Sequence, residues 1–259
     1  MCVWFNDVFC MLLKGLKAAA DFLLPRTCIV CGCRLNLNER HLCLQCLMDM
    51  PLTYFWQLRH NPMADRFNDL IQRDIGKRKE VYIFAAALFV YREEAPYKNI
   101  PYHIKYYGDI SAGRYFGNML GCKMAECPHF DDVDLIIPVP LHWLRRLKRG
   151  YNQASVIAEG IASAMGVPVR TDLLVRNRRT TTQTRLGLEE KSANVKGAFG
   201  IVQDRIQEVL ESVAPKHVLL VDDVFTTGST LGACLVALRS ALPPSVRISV
   251  ATLGFVGGA

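Results

Sequence analysis

The segment Val218-Leu-Leu-Val-Asp222-Asp223-Val224-Phe225-Thr226-Thr227-Gly228-Ser229-Thr230 restricts the fold of this chain more than any other stretch. Its continuous apolar run reads as a strand buried on both faces, the kind found in parallel sheets covered by helices. The run ends in two adjacent acids, turns through hydroxyl side chains and one glycine, and opens a helix. At such a strand end, Asp222 and Asp223 can accept hydrogen bonds from the vicinal hydroxyls of a pentose. The N–H groups and positive dipole end of the helix start suit a phosphate. Thr226, Thr227, Ser229 and Thr230 add hydroxyl donors, Val224 leads into the turn, and Gly228 lets the backbone approach a ligand closely. A single acid before a helix is ordinarily an N-cap. Two acids followed by this run of small and hydroxylic residues point instead to a sugar-phosphate cradle.

The rest of the chain supplies the sheet that such a strand needs. Val81 to Tyr91, Val133 to Val139 and Val246 to Leu253 read as further strands. Helices are expected over Pro101 to Gly108, from Asp109 with Ala112, Tyr115, Phe116, Met119 and Leu120 on one face, from Asn152 to Gly166, and over Leu231 to Leu242. Alternation of strands with amphipathic helices predicts an α/β fold, a mostly parallel sheet with helices on both faces. Pro138, Val139 and Pro140 close the second strand, since proline cannot extend a ladder. They therefore fall at the carboxyl edge where ligands of such sheets gather, beside Asp222 and Asp223. Residues 52 to 80 show no clear apolar period and read as a connector carrying short helices, so the expected division is 1–59 for an N-terminal module and 60–259 for the sheet domain, with 60–80 as the link.

Ten cysteines in 259 residues could suggest a disulfide scaffold, but five fall between positions 28 and 46. Cys28-Ile-Val-Cys31 and Cys43-Leu-Gln-Cys46 are two C-x2-C knuckles, the spacing that closes a thiolate tetrahedron around Zn²⁺. Cys33 and His41 lie close enough in sequence to leave the ligand set open. Four protein ligands leave no site for a substrate, so the ion is expected to be structural, stabilising a module too small for a core of its own. The N-terminal apolar stretch around Val3, Phe5, Val8 and Leu12 holds Asp7 and has no basic segment before it, which fits a short amphipathic helix better than a signal peptide. No run reaches bilayer-spanning length, so a cytoplasmic protein is expected. The net charge of +7 is compatible with phosphates or nucleic acid.

Two further polar segments could converge on the acidic strand end. Arg145, Arg146, Lys148 and Arg149 follow Pro140 and offer guanidinium forks for a pyrophosphate, with Trp143 and Tyr151 beside them. The stretch from Arg176 through Arg178, Arg179, Thr180, Gln183 and Arg185 to Gly187 has no apolar period and reads as a loop able to close over a ligand.

The Val218 to Thr230 segment resembles the phosphoribosyl-pyrophosphate (PRPP) loop of type I phosphoribosyltransferases, with Phe225 where a smaller aliphatic residue is usual. Taken with the knuckles after Leu23-Leu24-Pro25, Ile104-Lys105-Tyr106-Tyr107-Gly108, Ile137 to Pro140, Arg149-Gly-Tyr-Asn-Gln153, Arg176 with Thr180 and Gln183, and Asn194-Val-Lys-Gly-Ala-Phe199, the order of motifs is similar to the ComF family over nearly the whole chain. Lys191 stands where that family usually has Arg. The resemblance implies a type I phosphoribosyltransferase fold behind a zinc module and a PRPP-like ligand held with Mg²⁺. Asp222 and Asp223 would act at the ribose, Val224 and Thr226 to Thr230 at the 5′-phosphate, and Lys105, Pro138 to Pro140, Arg145, Arg149, Arg176 and Gln183 around the pyrophosphate. For some members it also implies a part in moving single-stranded DNA during natural competence, with competence-machinery proteins as partners. Two functions follow: pentosyl transfer from PRPP to an acceptor the sequence does not identify, or handling of single-stranded DNA by a site that retains phosphoribosyl binding. A transcription regulator ranks below both, because no helix-turn-helix signature is present.

Overall fold

The computed structural model describes residues 25–75, 82–176 and 197–257. The expected N-terminal helix lies outside them, as do Lys191 and the stretch from Arg178 to Gly187, Gln183 included. Among the described residues no helix is long and apolar enough to cross a membrane.

Strands β1 (Ala85–Tyr91), β2 (Leu135–Pro138), β5 (His217–Phe225) and β6 (Arg247–Val256) form one parallel sheet in the order β1-β6-β5-β2. Its registers pair Pro138 with Val221, Asp222 with Thr252 and Tyr91 with Val256, so all four carboxyl ends lie on one side. Alternate residues face opposite layers, as the strand pleat requires. Ala85, Ala87, Val218 and Leu220 pack with α2 (Pro62–Ile75), α7 (Gln203–Ser212) and α8 (Ser229–Arg239). Ala86, Leu88, Leu219 and Val221 pack with α3 (Asn99–Tyr106), α4 (Ile110–Ala125) and α6 (Gln153–Met165). The Cys-rich segment and Trp56 share this second core, so the N-terminal module is packed onto the sheet domain. A small antiparallel pair, β3 (Leu174–Arg176) with β4 (Phe199–Ile201), stands beside the main sheet.

Both edges of the sheet are covered. The segment around Leu52 bridges Phe89, and Val169 bridges Ile136. This removes the exposed ladder on which other chains could pair.

The connector reading needs correction. Residues 62–75 form a single 14-residue helix whose Met63, Ala64, Phe67 and Ile71 are fully buried. The polar residues between them, Asp65, Arg66, Asn68 and Asp69, mask a spacing of one, four and eight that does belong to one helical face. Its start is built by Asn61, whose Oδ1 accepts from Met63 N–H (3.1 Å) and Ala64 N–H (2.9 Å), with Pro62 at the first position. The first strand also begins later than Val81. Asn68 uses its side-chain amide to satisfy both the N–H and the C=O of Ile83, which takes that residue out of the ladder.

Helices α4 and α6 touch backbone to backbone. A Cβ added to Gly160 would lie 2.3 Å from the carbonyl oxygen of Arg114. Gly160→Ala is therefore expected to destabilise the fold by about 1–3 kcal/mol, toward the upper end because the obstacle is main chain; urea denaturation would measure it.

Candidate functional site: a strand-end acid pair and a cysteine cluster

Strand β2 stops at Pro138, opposite Val221, while β5 runs on through Asp222 and Asp223 to Phe225. Val139 donates its N–H to Val221 C=O (2.8 Å), and Asn152 Nδ2 donates to Val139 C=O (2.9 Å), fixing the Pro138 to Pro140 turn beside Asp222. Both acids are half-buried. Asp223 donates its backbone N–H to Asp222 Oδ1 (2.9 Å). Burial first, then the charge of Asp223, pushes the Asp222 carboxyl up to about 7, against the opposing pull of that N–H, Lys105 and Arg176.

Cations reach this pair from separate segments. Lys105, in the last turn of α3, sets its Nζ 2.9 Å from Asp223 Oδ2. Burial opposes the charged ammonium, but Asp223 and Asp222 together hold its pKa above the ordinary value. Arg149 ends α5 (Trp143–Arg149), where it donates to Gln153 Oε1 (3.0 Å) and lies 5.4 Å from the ring centre of Tyr106. The Tyr151 hydroxyl donates to Ile104 C=O and ties the basic turn to α3. Arg176, at the end of β3, stacks on Phe199 at 5.1 Å. Burial lowers its pKa and Arg145 adds repulsion, while Asp222 acts in the opposite sense. Along α5, Arg145 and Arg149 are half-buried, whereas Arg146 and Lys148 are exposed.

The turn after the acids is held from below. Gly228 has φ +80°, and a Cβ there would lie 2.8 Å from Phe225 Cζ. The unusual Phe225 is thus a core residue, 6.2 Å from the Phe67 ring and 5.9 Å from that of Phe255. Thr227 Oγ1 lies 2.9 Å from Ser229 Oγ, and Ser229 N–H donates to Thr227 Oγ1 (3.3 Å). Thr226 is exposed, and Thr227, Ser229 and Thr230 are half-buried. Arg66, from the helix misread as a connector, donates to Thr226 C=O (2.9 Å) and Val256 C=O (3.4 Å). No local pattern marks Arg66, because its partners are distant in sequence.

The N-terminal knuckles meet as a second site. The sulfurs of Cys28, Cys31, Cys33 and Cys43 lie within 4.8 Å of one another, and Cys31 and Cys43 are 3.7 Å apart. A zinc tetrahedron with bonds of about 2.3 Å has edges of about 3.8 Å, so the donor set fits that ion. Of the expected ligands, Cys28, Cys31 and Cys43 fall in this group, joined by Cys33; Cys46, in the short helix α1 (Leu44–Met48), is buried beside it, with its backbone N–H donated to Cys43 Sγ (3.5 Å). His41 turns away, with Nε2 3.1 Å from Ser111 Oγ and Nδ1 3.7 Å from Asp109 Oδ2.

A third constellation looks catalytic and is not. Asp132 Oδ1, His217 Nδ1, His217 Nε2 and Ser249 Oγ line up with 2.7 Å at each contact. His217 is 0% exposed and Ser249 1%, at the amino ends of β5 and β6, away from the acid pair. No substrate can reach that serine. The group, joined by Arg247, ties the strand starts to the Asp132 turn.

A family model described as the phosphoribosyl transferase domain matches residues 152–253, the span from α6 to β6 that contains the acid pair and the following turn. Competence protein F of Haemophilus influenzae is 36% identical over 106 residues, covering 41% of this chain and 44% of that protein. DNA utilization protein YhgH is 34% identical over 98 residues in Salmonella typhi and 32% in Escherichia coli K12, covering 38% of this chain and 40% of each relative. The chain thus spans under half the length of these curated relatives. A solved structure of the allosteric regulatory enzyme of purine biosynthesis aligns over 54% of this chain and 25% of its own, at 22% identity and a TM-score of 0.34, a likeness that carries no argument.

Proposed function

Since this chain is a ComF-family protein with a phosphoribosyltransferase-like fold, we propose that its strand-end loop binds PRPP or a related ribose-5-phosphate ligand with Mg²⁺, and transfers the pentose at its anomeric carbon. One observation carries this: Asp222 and Asp223 stand half-buried, side by side near the carboxyl end of β5, with Lys105 on Asp223 and Arg176 within electrostatic reach of Asp222. The carboxylates take the ribose diol, the Thr226 to Thr230 turn takes the 5′-phosphate, and Arg145 and Arg149 face the pyrophosphate. Mg²⁺, when bound, supplies charge neutralisation of the pyrophosphate, and two carboxylates are hard oxygen donors of the kind it accepts. The bond from the anomeric carbon to pyrophosphate breaks and one to a nucleophile forms; base transfer and hydrolysis both fit. Lys105 must share Asp223 with the diol or move toward the phosphates. A structural Zn²⁺ in the cysteine cluster and a cytoplasmic setting belong to the same reading. Calorimetric titration with PRPP and Mg²⁺ should give saturable binding, and no signal at millimolar ligand would remove the proposal.

The raised Asp222 carboxyl sets a pH dependence. The folded chain keeps that proton to about pH 7, whereas the unfolded chain loses it near 4, so this group's contribution to stability falls as pH rises through that window. Diol donors prefer the ionised carboxylate, so affinity should climb by up to about tenfold per unit below pH 7 and then level. The ligand's phosphates titrate nearby, so the measurement is the difference between the native chain and Asp222→Asn across pH 5.5 to 8.5.

A second reading, single-stranded DNA handling, is favoured by one surface. Helix α5 has no buried residue, and Trp143 (60% exposed), Tyr106 and Tyr107 offer stacking faces beside its cations. Relatives named for competence and DNA utilization fit it. Competition between PRPP and an oligonucleotide at moderate salt would support a shared site; binding seen only at low salt and blind to PRPP would mean incidental electrostatics.

A further inference from the structure

The turn that follows the acid pair rests on α2, a helix outside the span matched by the phosphoribosyl transferase model, residues 152–253. Phe67 and Leu70 lie under its backbone: a Cβ added to Gly228 would come 3.2 Å from Phe67 Cδ2, and one added to Gly232 would come 3.0 Å from Leu70 Cδ2. Arg66, half-buried beside them, makes the polar contact. Its Nη1 donates to Thr226 C=O (2.9 Å) and to Val256 C=O (3.4 Å), and its guanidinium carbon sits 5.6 Å from the centre of the Phe255 ring. One nitrogen thereby joins the turn to the end of β6.

We propose that Arg66 is a positioning residue for this turn, holding the peptide between Thr226 and Thr227 so that the Thr227 N–H is presented to the 5′-phosphate of the ligand. This rests on the reading of the strand-end loop as a ribose-phosphate site. A trans peptide sets its C=O and N–H on opposite sides. With the Thr226 carbonyl fixed on Arg66, the Thr227 N–H therefore points to the far side, away from the guanidinium. It joins the other N–H groups at the start of α8, where the first backbone bond of the helix is Gly232 N–H to Gly228 C=O (2.8 Å) and Ser229 N–H is taken by Thr227 Oγ1 (3.3 Å). Were that peptide to flip, a carbonyl oxygen would replace an N–H among the donors that suit a phosphate, and like partial charges would meet. Because Arg66 grips the opposite side of the peptide, it acts through the turn rather than on the ligand.

The test is calorimetry on the full chain with Mg²⁺ and PRPP, ribose 5-phosphate or inorganic pyrophosphate, comparing the unmutated protein with Arg66→Met, which keeps an apolar stem over Phe255 and removes the donors. PRPP and ribose 5-phosphate should each bind about tenfold more weakly to Arg66→Met, the scale of one hydrogen bond lost, whereas pyrophosphate should bind alike. The loss should be the same at about 50 and about 500 mM salt, since a misplaced amide is not screened as a distant charge is. In the unmutated chain the Thr227 amide resonance should shift on saturation with ribose 5-phosphate. No PRPP binding by the unmutated protein would remove the ribose-phosphate reading itself. With that binding present, an Arg66→Met that binds PRPP and ribose 5-phosphate as the native chain does, that loses pyrophosphate equally, or whose loss disappears at the higher salt overturns the positioning role. So does a Thr227 amide that ribose 5-phosphate leaves unmoved, a result that stands even if Arg66→Met fails to fold. Where pyrophosphate alone gives no measurable heat, the salt comparison and the amide shift decide the matter.

Discussion

Replacing Asp222 and Asp223 together by Asn should lower PRPP affinity by roughly a hundredfold or more, because two charge-assisted acceptors for the ribose diol are lost at about 1.5–3 kcal/mol each. The fold should survive. Asp222 already resists ionisation at its half-buried position beside Asp223, so removing both charges relieves a repulsion; against this, Lys105 loses its partner at 2.9 Å. The melting temperature is expected to change little. Calorimetry with PRPP and Mg²⁺ beside a thermal melt separates the outcomes: weak binding with an intact melt supports ribose capture by the acids. Undiminished binding would mean that phosphate contacts alone hold the ligand, and the role given to the acid pair would fall.

If the cysteine cluster holds zinc as proposed, stripping the ion is expected to produce the largest structural effect. Ion binding in a small thiolate module is worth on the order of 10 kcal/mol of folding free energy, and here the module is not separate from the sheet domain. Cys28, Val30, Leu42, Cys46 and Trp56 lie in the same core as Leu88, Phe89, Ile100 and Phe116. Loss of the ion should therefore loosen α3, the helix that carries Lys105 to Asp223. Incubation with a strong chelator is expected to shift Trp56 emission to the red, lower the melting temperature by tens of degrees, and weaken PRPP binding. Re-addition of Zn²⁺ should restore all three. A chelated protein with unchanged melt and binding would mean that the module folds without its metal.

Much of the fold was legible because its signals are local. A continuous apolar run ending in Asp222-Asp223 is a buried parallel strand wherever it occurs, and β5 spans His217–Phe225. Gly166, with φ +71°, ends α6 where the periodicity stops. Asp109 caps α4 through Ala112 N–H. The misreadings arose where neighbours far along the chain set the outcome. Helix α2 hides its apolar face among charges because its other side meets water, and Arg66 on that side bonds the Thr226 carbonyl. Phe225 looked like a departure from the expected loop until its ring was found beneath Gly228.

Residue order alone determined the strand β5, the turn after it, the helix α8 and the proline stop after β2, since each depends on contacts a few residues apart and on the backbone preferences of Gly, Pro, Asp and Thr. Tertiary structure decided that Lys105 sits on Asp223, that Arg176 and Arg145 come within electrostatic reach of each other and Arg176 of Asp222, and that Cys33 joins Cys28, Cys31 and Cys43 in one group of sulfurs. Those juxtapositions depend on how helices and loops dock across a folded sheet, and burial and charge at the site follow from the docking.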